Sequence, residues 1–436
     1  MKKVIASVLM AGMSLASLAG CSNVNVEGST TQTSAAAEAA VKNPVTIVKE
    51  IGDVSSEQEK AFRQGYLNFA FDLLRRNIKQ DGSSANVMVS PASVMIALDM
   101  TASGAANDTV TQMMALYGGA DDPQGQLSYA AKLLGRLNSS QGVTMHAADS
   151  IWVNGDIMPD GLAGDYTDFV SGHFDASAES LKFDNAALGR INGWVKDNTD
   201  GMIDSILDGL DPATAMVLIN AIAFDGKWEK QYDDSQVTDG SFTAASGDVR
   251  TVQMMSGTEQ IYLENDLATG FAKYYAGNQY AFVVMLPKDV NQNAGDMISA
   301  FTGETFDAFM NSASRDYTVV TKLPEFSYDW GRTIVPQLKA MGMEVPFDDS
   351  RADFSGMTGS DNGLYIGNVI HKTRIEVGRN GTRAAAATAV VMRKNAIDIM
   401  PPEKKEVVCD RPFAYAIVDM TDNTPVFVGT VNDITK

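Results

Sequence analysis

His146, His173 and His371 are the only imidazoles in 436 residues, and none stands in a pattern that makes a catalyst or a metal site. There is no HExxH, and the two cysteines, Cys21 and Cys409, are far apart, so the usual nitrogen and sulfur ligand sets of zinc have no counterpart. Neither a GxSxG nucleophile turn nor a Walker-type phosphate loop occurs. Acids outnumber bases by 54 to 34, so two carboxylates close in sequence carry little meaning. The expectation is a protein that is not an enzyme and uses no metal or cofactor. A net charge of −20 also argues against nucleic acid as a partner, because phosphate binding needs a basic surface. The simplest role of the acidity is solubility.

Three polar residues stand out by position. Ser90 precedes Pro91 and reads as an N-cap with proline at the first helical position. Asn220 interrupts the apolar run 216–224, and a buried asparagine needs hydrogen-bond partners. His371 follows the apolar run 364–370. Read singly, each satisfies local hydrogen bonds. A second oddity is GTRAAAATAVVMRKNAIDIMPPEKK at 381–405. Its four consecutive alanines favour helix, Val390 and Val391 favour strand, and Pro401-Pro402 closes it. No helical stripe of large apolar residues would fix it to a core.

The elements that must hold these residues are those of a large globular domain, with 45% hydrophobic and 20% charged residues. The N-terminus is a targeting segment. Lys2 and Lys3 precede a short apolar run, 4–18, too short to span a bilayer, and Leu18-Ala19-Gly20-Cys21 is similar to the lipobox of bacterial lipoproteins. That likeness implies a signal peptide at 1–20 and a lipidated Cys21. The expected location is extracytoplasmic, anchored to a membrane at the cell surface or secreted. Residues 21–55 read as a flexible tether, reaching roughly 100 Å when extended. One domain then covers 56–436. Cys409 lies in an apolar run as a small buried hydrophobe.

Apolar spacing predicts helices over 61–78, 92–106 and 191–207, with another starting near Asp108 or Thr109. Strands are expected at 216–224 and 280–286, and a hairpin pairs 413–420 with 426–431. Helices dominate the first half and strands the second, which makes the fold class α+β.

An ordered set of blocks now resembles the serpin family. The blocks are NVMVSP at 86–91, INGWVKDNTDGMI at 191–203, LINAIAFDGKWEK at 218–230 and TVQMM at 251–255. LPEF at 323–326, ADFSGM at 352–357, IGNVIHKTRIEV at 366–377 and DRPFAYAI at 410–417 complete it. The likeness runs from about residue 57 to 436. It implies three β-sheets, about eight or nine helices and an exposed reactive-centre loop at about 379–405. It also gives Ser90, Ser93, Asn220 and His371 a joint role, the shutter under the middle of the main sheet. Trp228 matches the tryptophan near the breach, where that sheet opens.

Under this resemblance the alanine run is the hinge of a loop that baits a serine protease, or a cysteine protease, as a suicide substrate. The protease acylates itself on the loop, and the cleaved loop enters the main sheet as a new strand, a family behaviour that serves as a standard example of strand addition and of stored strain released. The hinge residues are Gly381, Thr382, Arg383, Ala384, Ala385, Ala386, Ala387 and Thr388. Strand alternation places Thr382, Ala384, Ala386, Thr388, Val390 and Met392 on one face and Arg383, Ala385, Ala387, Ala389, Val391 and Arg393 on the other. Arginine is rarely buried unpaired, so the threonine face is the core face. Arg379, Asn380 and Arg383 depart from the family's usual acidic residues.

Counting from Gly381 puts the reactive bond at Asn395–Ala396. The segment before Pro412 is longer than usual, which widens the window to 392–397. Arg393 and Lys394 suit a trypsin-like pocket, favouring Lys394–Asn395, while Met392 or Val391 suits elastase-like or chymotrypsin-like enzymes. The expected protein is a monomer. The competing expectation is a serpin-fold binding protein that is cut as a plain substrate.

Overall fold

A computed structural model describes residues 51–359, 363–383 and 402–435. Ile51 and Val54 already lie against the core, and Gly52 N donates to Ser128 Oγ at 3.0 Å. Helix α1 (Ser56–Asp81) starts at a capping box between Ser55 and Gln58 and buries Phe62, Tyr66, Phe69, Leu73 and Leu74, the spacing read in the sequence. Strand β1 (Val87–Val89) leads to Ser90, which caps α2 (Pro91–Ala102), a helix buried along its whole length. There follow α3 (Asn107–Ala115), α4 (Pro123–Asn138), β2 (Val143–Asn154), α5 (Gly164–Phe174), β3 (Ser177–Leu181) and α6 (Asn185–Asn198). The apolar pattern runs on to residue 207, yet α6 ends at Asn198. Asp200 and Gly201 turn the chain with φ of 49° and 67°, left-handed values that close a helix.

Strand β4 (Met216–Lys227) opens the strand-rich half. It continues through β5 (Val237–Thr243), β6 (Val249–Glu259), β7 (Ile261–Glu264), β8 (Ala268–Tyr274) and β9 (Tyr280–Pro287). Helices α7 (Ala294–Ser299) and α8 (Gly303–Asn311) precede β10 (Tyr317–Pro324) and β11 (Phe326–Thr333). Then come α9 (Val335–Ala340), α10 (Ser355–Thr358), β12 (Asn368–Gly378), β13 (Gly381–Thr382), β14 (Glu403–Val408), β15 (Phe413–Asp419) and β16 (Thr424–Val431). The described residues thus contain ten α-helices, and α10 is a single turn. None of the described helices is long and apolar enough to cross a membrane.

Three sheets result. The main sheet has the order β11-β12-β13-β4-β2-β3, the second β1-β16-β15-β9-β8-β7, and the third β14-β10-β6-β5. Strands β2 and β4 form the central antiparallel pair of the main sheet, and their alternation serves two cores. Ile151, Val153, Leu218, Ile222 and Phe224 face the large core under α2 and the second sheet. Trp152, Val217, Ile219 and Ala221 face a smaller core with Ile191 and Val195 of α6. Cys409 is buried, and burial pushes its thiol pKa up, so it packs as an apolar side chain.

Candidate functional site: a seam and a slot in the main sheet

Strands β12 and β4 pair directly, in parallel, from Asn368↔Val217 to Arg374↔Ala223. Beyond Arg374 they diverge, and β13 occupies the gap. Thr382 lies between Val377 and Gly226, and Gly381 between Gly378 and Lys227, antiparallel to both neighbours. Gly381 has φ 152°, and a β-carbon there would fall 2.0 Å from the Gly226 carbonyl oxygen, so only glycine fits. Thr382 is 1% exposed and shares a 2.6 Å hydrogen bond with the Tyr275 hydroxyl. Its core-facing placement agrees with the alternation read from the sequence. Arg383 behaves differently from that reading. Its backbone turns left-handed at φ 54°, its guanidinium reaches the Asp200 carbonyl at 3.4 Å, and it is half-buried rather than solvent-facing in a strand.

The four polar residues predicted to act together are brought together at the seam. His371 and Asn220 are register partners across it. The backbone N–H of Ser90 donates to His371 Nε2 at 3.0 Å. Nε2 therefore carries no proton, and Nδ1 donates to the Asn220 carbonyl at 3.3 Å. Burial pushes the His371 pKa down to about 4, partly offset by that carbonyl. Ser90 Oγ accepts from Ser93 N and donates to the Val426 carbonyl of β16, tying the sheet to the second layer. Asn220 Nδ2 donates to Ser93 Oγ and to Asp149 Oδ1, the latter at 2.5 Å. Ser93 Oγ also donates to Asp149, at 3.3 Å.

Asp149 is the member that sequence reasoning missed. Burial raises its carboxyl to about 7, against the lowering effect of Asn220 and Ser93. The signal was present, because Asp149 shares a strand face with Ile151 and Val153. An acid on an apolar strand face needs a buried partner.

Trp228 lies at the mouth of the slot. Its indole N–H donates to the Gly378 carbonyl at 2.9 Å, its backbone N–H to Asn380 O at 2.9 Å, and its ring stacks on Tyr275 with centroids 4.5 Å apart. Tyr232 N binds the Arg379 carbonyl at 3.0 Å. Behind them Lys273 pairs with Glu259 at 2.9 Å and sits over the Tyr232 ring at 4.3 Å. Burial pushes Lys273 down and Glu259 up, and each offsets the other.

Arg379, which departs from the family's acidic residue, is compensated locally. It pairs with Glu325 at 3.2 Å and Asp234 at 3.0 Å beside a cleft of about 620 Å³ at the slot mouth. Arg379→Glu would place three acids together. Arg379 and Glu325 are about a third exposed and Asp234 is almost fully exposed, so a loss of at most about 1 kcal/mol is expected, read as a fall of roughly 1 °C in Tm. The double variant Arg379→Glu/Glu325→Arg should recover most of it.

Ala384, Ala385, Ala386, Ala387 and Thr388 of the hinge, the bond candidates Met392, Arg393, Lys394, Asn395 and Ala396, and Cys21 lie outside the described residues. No group of His, Cys, Asp and Glu among the described residues forms a metal-holding cluster.

The main sheet is thus closed by a polar cluster along a parallel seam, with Gly381 and Thr382 seated in its open end. The family model described as serpin (serine protease inhibitor) matches residues 64–434, and the chain belongs to the serpin family. The family is described by protease inhibition rather than by an enzymatic activity. Leukocyte elastase inhibitor A of Mus musculus is 28% identical over 376 residues, 83% of this chain and 97% of that protein. The native-state crystal structure of the thermophilic serpin tengpin has 34% identity and a TM-score of 0.78, covering 88% of this chain and 96% of its own. A thyroxine-binding globulin complex with thyroxine has 25% identity and a TM-score of 0.74, covering 86% and 99%. The family thus includes members named as inhibitors and at least one named for binding a small molecule.

Proposed function

We propose that this chain is a suicide-substrate inhibitor of serine proteases, acting from the cell surface on a lipid anchor at Cys21 or released from it, as a monomer. One observation carries the reading: Gly381 and Thr382 are already seated between β12 and β4. Each residue further along the loop steps back by one on both flanking strands. Six steps past Thr382, at 388, a strand in the same register is level with Asn220 and with His371. Thr388 is thus a small polar residue arriving at the one level of the seam where both strands carry a polar side chain, and the alanines between cost little steric work on entry. Full entry breaks the parallel pairing of β12 with β4 and replaces it with two antiparallel junctions, which pair somewhat more favourably.

Cleavage is assigned to 392–397, with Lys394–Asn395 favoured for a trypsin-like enzyme and Asn395–Ala396 by loop length. After acylation, insertion carries the bound enzyme away before water completes its cycle. Cysteine proteases that form the same kind of acyl-enzyme are secondary targets. The second reading, a serpin-fold binding protein, is favoured by the likeness to the thyroxine-binding relative. Incubation with trypsin, chymotrypsin and elastase, followed by a denaturing gel, separates the two. A covalent complex that survives boiling supports inhibition, and cleavage without complex supports binding. The mass of the released C-terminal peptide locates the bond, and cuts only outside 392–397 overturn that assignment.

A further inference from the structure

Asp149 and His371 are an acid and a base buried in one cluster, with no opposite charge on either. Asp149 comes from β2 and His371 from β12, and both bind Asn220 of β4, one through the side-chain amide and one through the backbone carbonyl. One charged residue lies beside them: Arg332 of β11 is the register partner of His371, and its guanidinium pairs with Asp81 and lies over the Trp330 ring. The other neighbours present neutral groups. Helix α2 offers the Ser93 hydroxyl and its cap the Ser90 N–H, and β11 offers the Trp330 ring, 5.9 Å from the imidazole. Among the described residues, no charged side chain is hydrogen-bonded to either group. Asp99, further along α2, is held by Gln126 instead. With its Nε2 accepting from a backbone N–H, the imidazole is neutral by geometry, and an unpaired buried carboxyl prefers its neutral acid for the same reason of desolvation.

We propose that Asp149 and His371 form a proton-compensating pair: as β4 parts from β12, the carboxylic acid releases one proton to solvent and the imidazole takes one up, so the ease of parting stays level across mildly acidic pH. The proposal rests on the insertion reading above. Parting opens the cluster at Asn220, the residue that both groups bind. In water a carboxyl titrates near 4 and an imidazole near 6.5. Between those values the closed cluster holds one proton, on Asp149, and the open cluster holds one, on His371. Equal proton numbers give no pH slope.

Removing either partner uncovers the other. His371 alone has a depressed pKa when closed, so the closed sheet is favoured above about 6.5 and loses that advantage as pH falls towards 4. Asp149 alone has a raised pKa when closed, so the closed sheet is favoured below about 4 and loses that advantage as pH rises towards 7.

The test follows spontaneous insertion of the uncleaved loop at one elevated temperature between pH 4.5 and 6.5, read by calorimetry as the growth of a higher-melting form. Relative to the wild-type protein, Asp149→Asn should insert faster towards acid pH, by at least about tenfold across the range. His371→Gln should insert faster towards neutral pH by a similar factor. The double variant should return to the wild-type profile. If Asp149→Asn does not fold, the His371→Gln profile decides alone. Variant profiles parallel to wild type overturn the proposal. Protease-cleaved wild type is the control: a cleaved form that gains no stability removes the insertion reading and the proposal with it, whereas a stable cleaved form with parallel profiles removes only the pair.

Discussion

Thr382→Arg should abolish covalent capture of a protease while leaving cleavage of the loop intact. Thr382 is the point where the loop enters the sheet, 1% exposed and hydrogen-bonded to Tyr275. Tyr275 stacks on Trp228, and the Val377 and Gly226 backbones flank the entrant strand. An arginine on this face must bury a charge with no carboxylate to meet it, which costs several kcal/mol. If about 3 kcal/mol of that falls on the insertion barrier, entry slows by roughly a hundredfold. Deacylation then finishes first, and the inhibitor is consumed as a substrate. The measurement is the ratio of boiling-stable complex to cleaved product on a denaturing gel. Thr382→Val keeps the volume and loses only the hydrogen bond to Tyr275, so its ratio should fall far less. Undiminished complex from Thr382→Arg would refute capture by insertion.

Cleavage of the loop by a protease that leaves no complex should raise Tm by about 10 °C or more, roughly 8 kcal/mol for a domain of this size. The seam now joins β12 and β4 in parallel over seven register pairs, Asn368–Arg374 against Val217–Ala223. An entering strand antiparallel to both removes that junction and supplies two ladders in its place. Alternate residues, from Thr382 to Met392, are then delivered to the core face. Thr382 already occupies the site that this pattern requires of it. Calorimetry of intact and nicked protein reads the shift. An unchanged or lower Tm would mean that the freed loop stays out of the sheet.

Much of this was readable from residue types. The Ser90-Pro91 cap, the apolar faces of α1 and β4, and the terminal hairpin rest on local periodicity, and the structure carries them. The core side of Thr382 followed from alternation together with the cost of burying Arg383. What could not be read depended on register between distant strands. Asp149 meets Asn220 because β2 and β4 pair at that position, 71 residues apart. Arg379 looked like a departure until Glu325 was found beside it, 54 residues upstream. The end of α6 and the turn at Arg383 both hinge on left-handed backbone at non-glycine residues, which apolar spacing does not report. Asp149 was legible in principle, as an acid in step with Ile151 and Val153.

The two-residue link Arg379-Asn380 makes β12 and β13 a hairpin, whereas the seam joins His371 to Asn220 across 151 residues. During folding these two pairings compete for the same edge of β12. Hairpins zip in microseconds, and closing a long loop carries a larger entropic penalty and is slower. A nascent chain left to local preference would run the hairpin on past Thr382 and use up the loop at once. Among the described residues the register ends at Thr382, and Arg383 turns left-handed while its N–H still donates to the Glu376 carbonyl at 2.7 Å. On the insertion reading, the native arrangement depends on β4 reaching β12 before the hairpin lengthens. Variants that delay β4, or slow refolding from denaturant, should divert chains to a heat-stable but inactive product. The yield of native protein is then decided by order of assembly rather than by final stability.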